Sequence, residues 1–186
     1  MISKAPLCIW YIFYRVLIEA RIKTAPTPLP KPQPDLERYW MASTAHRLSQ
    51  SQFDILQEKA GNAKATAYCP YSNFRVGAAF LSEDGIVITG GNIENASYPV
   101  GTCAERVALG KAVSEGHRQF IALAVATDIS PPASPCGMCR QFIREFCPLD
   151  MPVIMFDKDG QYVVKLLEEL LPMSFGPEDL KGARTV

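Results

Sequence analysis

Residues 120–127 read FIALAVAT. The run is apolar throughout, the pattern of a strand in a sheet covered on both faces. Such a sheet needs helices on each side, and the neighbouring sequence offers them. Downstream, SPCGMCRQFIREF (134–146) starts with Pro-Cys and becomes helical, ending before Pro148. Upstream, GTCAERVALGKAVSEG (101–116) predicts a helix from about Cys103 to Glu115, with Gly116 as its stop. Before it, FRVGAAFL (74–81) and IVITGGNI (86–93) are rich in β-formers and flank Glu83-Asp84-Gly85, so they read as a hairpin. From Leu48 to about Tyr68 the residues favour helix, with Phe53, Leu56, Ala60, Ala63 and Ala67 near one face and Pro70 ending it. After the central strand come VIMF (153–156) and YVVK (162–165) around Asp159-Gly160, then a short helix in LLEELL (166–171). The order α-β-β-α-β-α-β-β-α predicts an α/β protein, a three-layer α/β/α domain around one five-stranded mixed sheet. No internal repeat is visible.

The chain has 186 residues, enough for one domain with a sizeable core. Nineteen basic residues balance nineteen acidic ones, so nothing draws the protein to a polyanion, and polymeric nucleic acid and anionic membrane are poor partners. Residues 1–40 differ from the remainder. LCIWYIFYRVLI (7–18) is apolar but short and interrupted by Arg15, whereas a membrane span needs roughly 20 apolar residues. Lys4 precedes it, as in a signal peptide, but no clear small-residue cleavage site follows. TAPTPLPKPQPD (24–35) is proline-rich and reads as an extended linker. Residues 1–40 are therefore expected to be a dispensable extension, with the catalytic domain at 41–186. The competing reading is an anchor or targeting segment.

Six cysteines are present, and Cys136 and Cys139 form a C-x-x-C pair that suits a metal or redox site better than a staple. Reduced thiols would point to an intracellular compartment. Two strand-to-helix junctions carry cysteines, Thr102-Cys103-Ala104-Glu105 and Pro135-Cys136-Gly137-Met138-Cys139. Positions three apart share a face of the first helical turn, and a helix N-terminus favours thiolate over thiol. Two such termini meeting would hold a soft cation, most simply zinc. Catalytic zinc usually has three protein ligands and a place for water. Three cysteines fall at the junctions, while Cys147, His46 and His117 are less well placed. Zinc lowers the pKa of water from about 15.7 towards about 7. A neighbouring Glu105 could take that proton and return it to a substrate nitrogen. Removal of an amino group from a heteroaromatic ring by water suits this arrangement. Three thiolates weaken zinc as a Lewis acid, and Arg106 or Arg140 could offset their charge, with Arg106 favoured. A lone Cys-x-x-Cys is as often redox or structural, and a lone Cys-Ala-Glu means little; the combination, both parts opening helices, carries the reading.

These residues, with FRVGAAF (74–80), GNIENASYP (91–99), GTCAERVAL (101–109), SPCGMCRQF (134–142) and LLPMSFGPEDL (170–180), resemble the cytidine deaminase family, in its short, homotetrameric class with three zinc cysteines. The match covers roughly residues 48–182. The resemblance implies one Zn2+ per subunit on Cys103, Cys136 and Cys139, with Glu105 as proton shuttle. It implies that Phe74 stacks near the pyrimidine and that Asn92 and Glu94 bind the ribose 3′-hydroxyl. Ala96 and Tyr98 would lie in the same substrate segment, partly serving a neighbouring subunit. Ala104 would contact the base through its backbone, and Phe175 would be an aromatic contributed by another subunit. Read without the resemblance, Phe74 could be core, Asn92 a turn residue, Glu94 a solvated acid, Tyr98 loop packing and Phe175 a loop anchor or interface residue.

The function implied is hydrolytic deamination of cytidine and deoxycytidine in pyrimidine salvage, by a cytoplasmic enzyme with no nucleic-acid polymer or membrane as partner. A carboxylate at Glu94 that receives a buried 3′-hydroxyl would repel a 3′-phosphate, so a free nucleoside fits and a polynucleotide does not. A deaminase of a cytosine-nucleoside antibiotic such as blasticidin S shares both cysteine motifs, but Asn92-Ile93-Glu94 favours cytidine. Nucleic-acid editing is opposed by the neutral charge balance and the lack of a basic, aromatic-studded surface. A non-catalytic zinc module would need a fourth protein ligand and would leave Glu105 without a purpose.

Overall fold

The computed structural model describes residues 48–182; the N-terminal stretch discussed above lies outside them. Helix α1 (Gln50–Ala63) opens on a capping box, in which the Ser49 hydroxyl accepts from the Gln52 amide and the Gln52 side chain accepts from the Ser49 amide. The chain then forms strands β1 (Val76–Ser82) and β2 (Val87–Gly91), helix α2 (Ala104–Ser114), strand β3 (Phe120–Thr127) and helix α3 (Gly137–Arg144). Strands β4 (Pro152–Phe156) and β5 (Tyr162–Leu166) and the short helices α4 (Leu167–Leu170) and α5 (Pro177–Gly182) complete it. The sheet has the order β2-β1-β3-β4-β5, with β3 and β4 parallel and the other pairs antiparallel. It is the five-stranded mixed sheet that the sequence predicts.

Strand β3 is central, and its alternating side chains feed two cores. Ala122, Ala124 and Ala126 face α1, packing with Phe53, Leu56 and Ala60, while Leu123 and Val125 pack with Ala104, Ala108, Cys139 and Ile143 of α2 and α3. One helix therefore covers one face and two cover the other, giving three layers. Each fully buried aliphatic side chain contributes about 1.5–3 kcal/mol, so both faces of β3 bear on stability. Gly90 brings α2 close to the sheet, because a Cβ there would collide with the α2 backbone at Ala104 and Ala108. That approach holds the first turns of α2 against the sheet, next to the N-cap Cys103.

Several boundaries differ from the sequence expectation. Helix α1 stops at Ala63 and tightens into a 3₁₀ turn over Lys64–Thr66, before Pro70. The Thr66 hydroxyl donates to the Ala63 carbonyl and draws the last turn in, and Ala67, expected on the buried helical face, falls outside the helix. Tyr68 is instead recruited into a β-bridge with Ile93. Strand β1 begins at Val76 rather than Phe74, because Asn73 has a positive φ (56°) and the Asn92 side chain occupies the Phe74 carbonyl. Helix α5 is not among the elements that the sequence predicts; Pro177 is its first residue, a position proline tolerates. Among the described residues no helix is long and apolar enough to cross a membrane.

Candidate metal centre

Cys103 is the N-cap of α2 and Cys136 the N-cap of α3, each in extended conformation, and neither side chain caps its own helix. Both thiols can therefore turn towards a common point. Cys139 joins them from the first turn of α3. The sulfurs of Cys103 and Cys136 are 3.8 Å apart, those of Cys136 and Cys139 3.5 Å, and all three lie within 4.8 Å of one another. Zinc–sulfur bonds of about 2.3 Å at the tetrahedral angle separate sulfurs by about 3.8 Å. Donor type and spacing thus fit a zinc ion. Cys139 is buried and Cys136 exposed, so the cluster opens to solvent on one side.

The other candidate ligands are elsewhere. Cys147 sits in the core at the far end of α3, where burial pushes its thiol up to about 12. His117 lies beyond the C-terminal end of α2, its Nδ1 3.4 Å from the Asp84 carboxylate. His46 lies outside the described residues.

Charge at the cluster is uneven. The Cys103 thiol is lowered to about 5, chiefly by the hydrogen bond from Cys139 and against burial, with Arg106 and Cys136 adding to the effect. The same hydrogen bond, with burial, raises Cys139. Glu105 follows Cys103 by two residues and is only 4% exposed. Burial raises its pKa and the Cys103 charge adds to the rise, so its carboxyl holds a proton more readily than an exposed one. Burial opposes the charge on Arg106, but the Cys103 sulfur outweighs it and raises that pKa. Arg106 Nη2 donates to the Gly101 carbonyl at 3.2 Å, while its buried Nε has no conventional hydrogen-bond partner. A buried N–H of this kind suits a diffuse sulfur acceptor. Arg140, the other candidate counter-charge, is committed elsewhere. It donates to the Pro135 and Leu170 carbonyls and to the Ser134 hydroxyl.

The residues expected near a substrate are stitched to this cluster through Ile93. Ile93 exchanges backbone hydrogen bonds of 2.9 and 2.8 Å with Thr102, the residue before Cys103. On either side of it, the Asn92 carbonyl accepts from the Tyr68 amide and the Glu94 amide donates to the Tyr68 carbonyl. Segments 68–76, 92–94 and 101–106 are thereby drawn together. Asn92 Oδ1 accepts from the Val76 amide at 2.8 Å, and Nδ2 donates to the Phe74 carbonyl at 2.9 Å. Asn92 thus frames half-buried Phe74, and each of its two polar atoms retains one further hydrogen-bonding position. Glu94 Oε2 accepts from the amides of Tyr71 (2.9 Å) and Ser72 (3.2 Å). Burial would raise the Glu94 pKa, but these groups reverse the effect and hold it below its ordinary value. Ala104 is fully buried at the first position of α2. Ala96 and Tyr98 are exposed, and Tyr98 makes an edge contact with Tyr71 at 5.8 Å between ring centres. Phe175 is exposed as well, and its carbonyl accepts from Gln141.

Comparison with known proteins agrees with this geometry. Residues 51–155 match the model of the cytidine and deoxycytidylate deaminase zinc-binding region. The chain belongs to the cytidine and deoxycytidylate deaminase family. It is 49% identical over 126 residues to a cytidine deaminase of Halalkalibacterium halodurans, covering 68% of this chain and 96% of the relative. It is 51% identical over 121 residues to that of Sporosarcina psychrophila, covering 65% and 89%. The crystal structure of cytidine deaminase from Burkholderia pseudomallei superposes with a TM-score of 0.65 at 41% identity, covering 69% of this chain and all of that one. As a member of this family the protein is a hydrolytic deaminase with zinc as its cofactor.

Sequence reading of this deaminase misses Gln141 and Arg144, which bind the C-terminal segment to α3. Both are polar residues on a short helix, and nothing in the local sequence separates such braces from ordinary solvated positions.

Proposed function

We propose that the protein converts cytidine and deoxycytidine to uridine and deoxyuridine, consuming water and releasing ammonia, as a step of pyrimidine salvage. The observation that carries the proposal is the pairing of three cysteine sulfurs at zinc spacing with a buried carboxyl two residues from one of them. Cys103, Cys136 and Cys139 would hold the ion, which supplies Lewis acidity that makes water acidic near neutral pH. Glu105 would take one proton from the attacking water and deliver it to the pyrimidine ring nitrogen as the water oxygen bonds to the amine-bearing carbon, then carry the second water proton to the amine as its C–N bond breaks and ammonia leaves. Its raised affinity for protons, a consequence of burial, suits a group that must both accept and return them. Backbone groups at Ala104 contact the base, Phe74 stacks on it, and Asn92 and Glu94 receive the ribose 3′-hydroxyl. Because hydrogen bonds from Ser72 and Tyr71 hold the Glu94 carboxyl below its ordinary range, it carries a negative charge at neutral pH, a 3′-phosphate is repelled and polymeric nucleic acid is excluded.

The exposure of Ala96, Tyr98 and Phe175 supports a homotetramer in which these residues serve a neighbouring subunit's site, with one zinc per subunit. Reduced thiols at the metal site support a cytoplasmic location, which residues 1–40 could redirect.

An absorbance assay of cytidine loss tests the activity. Chelation of zinc is expected to abolish it and added zinc to restore it. Glu105→Gln is expected to lower turnover by about 10⁴ or more, at or beyond the top of the usual range for general acid–base help. Near-wild-type turnover in that variant would defeat the mechanism. A second prediction concerns the domain boundary. Residues 41–186 expressed alone are expected to be soluble and to keep the activity of the full chain. An insoluble or inactive product would assign residues 1–40 a necessary role.

A further inference from the structure

Helix α3 begins at the metal cysteines, and its polar side chains reach the C-terminal segment. Gln141 Nε2 donates to the Phe175 carbonyl at 3.0 Å. Arg144 Nε donates to the Ser174 hydroxyl at 3.0 Å, and its Nη2 pairs with Glu178. Arg144 is charged yet only 5% exposed, and a buried charge is costly unless it is paired and hydrogen-bonded. Its bonding partners come from residues 174–178. Gly176 lies against the guanidinium so closely that an added Cβ would overlap it. Phe175, by contrast, is 59% exposed and belongs to neither core cluster. Its location is therefore set by how its backbone is held rather than by packing of the ring.

We infer that Arg144 and Gln141 are positioning residues that fix Phe175 for substrate binding by clamping segment 174–178 onto the helix that begins at Cys136 and Cys139. This rests on the reading of Phe175 as a substrate-side aromatic. The clamp fixes the aromatic to α3, a rigid element of its own subunit, from which it would be presented to the neighbouring site. Arg140 adds to that unit by joining the Ser134-Pro135 loop before Cys136 to the Leu170 carbonyl. In a tetramer that shares sites, a flexible Phe175 would lose binding through the entropy of ordering it on each encounter.

Steady-state kinetics of the zinc-loaded full chain with cytidine test the inference through a double-mutant cycle. Phe175→Ala and Arg144→Met are each expected to raise KM about tenfold, equivalent to about 1.4 kcal/mol of binding, with kcat within about twofold. Their combination is expected to be no worse than Phe175→Ala alone, because both remove one contribution. A purely structural role for Arg144 would instead lower active protein or multiply the two effects. Gln141→Met, at an exposed position, runs the same cycle with an expected rise of about threefold, should Arg144→Met not fold. If Phe175→Ala raises KM while both clamp variants leave it unchanged, or if the effects multiply, the inference is overturned and the Phe175 reading stands. If Phe175→Ala leaves KM unchanged, the Phe175 reading falls and the inference with it.

Discussion

We propose that Arg106 tunes the metal site without ligating the metal. Three thiolates would bring three negative charges to one cation, and that charge weakens its pull on water. The guanidinium lies where the Cys103 sulfur raises its own proton affinity, with one N–H on the Gly101 carbonyl and a buried Nε otherwise unpartnered. Of the two arginines that the sequence leaves open, the geometry separates them at once, since Arg140 is spent on the Pro135 and Leu170 carbonyls and on Ser134. Arg106→Gln keeps a hydrogen-bond donor but removes the charge. It is expected to weaken zinc retention or turnover by about 10–100-fold, the usual cost of losing a group that supports metal ligands. Competition with a chromogenic chelator measures the first and the cytidine assay the second. Unchanged values in both would mean that the sulfurs need no counter-charge from this side.

At the scale of elements, the site is the meeting of two helix N-termini. Cys103 and Cys136 are each the last extended residue before a helix, so two strand-to-helix turns aim two thiols at one place. This much was legible, because Cys-Ala-Glu and Pro-Cys-x-x-Cys are local patterns whose spacing states their geometry. The central strand was legible too: FIALAVAT spans β3 residue for residue, since an apolar run that long has no other use in a sheet of this kind. Local signals failed where long-range partners overrode them. Phe74 looks like the start of a strand, but Asn92, eighteen residues away in sequence, takes its carbonyl and delays β1 to Val76. Asn92 itself had a turn residue as its plain reading; it instead follows directly on β2, and its side chain braces the backbone of Phe74 and Val76. The register of β3 against β1 slips at Leu81/Ser82 and brings Phe120 onto the metal-side core, an irregularity no periodicity announces. Segment 170–178 was recognisable only as a motif, since its hold on α3 depends on bonds to Gln141 and Arg144 that span some thirty residues.

Across the whole molecule, a charged knot at one end of the sheet joins elements far apart in sequence. Asp128, just past the end of β3, accepts from Lys64 Nζ at 2.9 Å and from Arg75 Nε at 2.7 Å. Lys64 follows α1 and Arg75 leads into β1, so one carboxylate ties together one covering helix and two central strands. Burial would raise the Asp128 pKa, but hydrogen bonds and charge from Lys64 and Arg75 more than offset this and lower it. A carboxylate whose folded pKa is depressed stabilises the fold above its unfolded value of about 3.9, and loses that contribution as pH falls through the lower folded value. The carboxylate is about a third exposed, so solvent limits the gain to about 1 kcal/mol. Asp128→Asn is therefore expected to lower Tm by about 2–4 °C at neutral pH, with the gap closing as the pH is taken to about 2. Thermal unfolding of both proteins with zinc chelated measures this, since loss of the metal in acid would otherwise move both curves. A gap that persists at low pH would place the cost in lost hydrogen-bond geometry rather than in charge, and the knot would then contribute nothing that titrates.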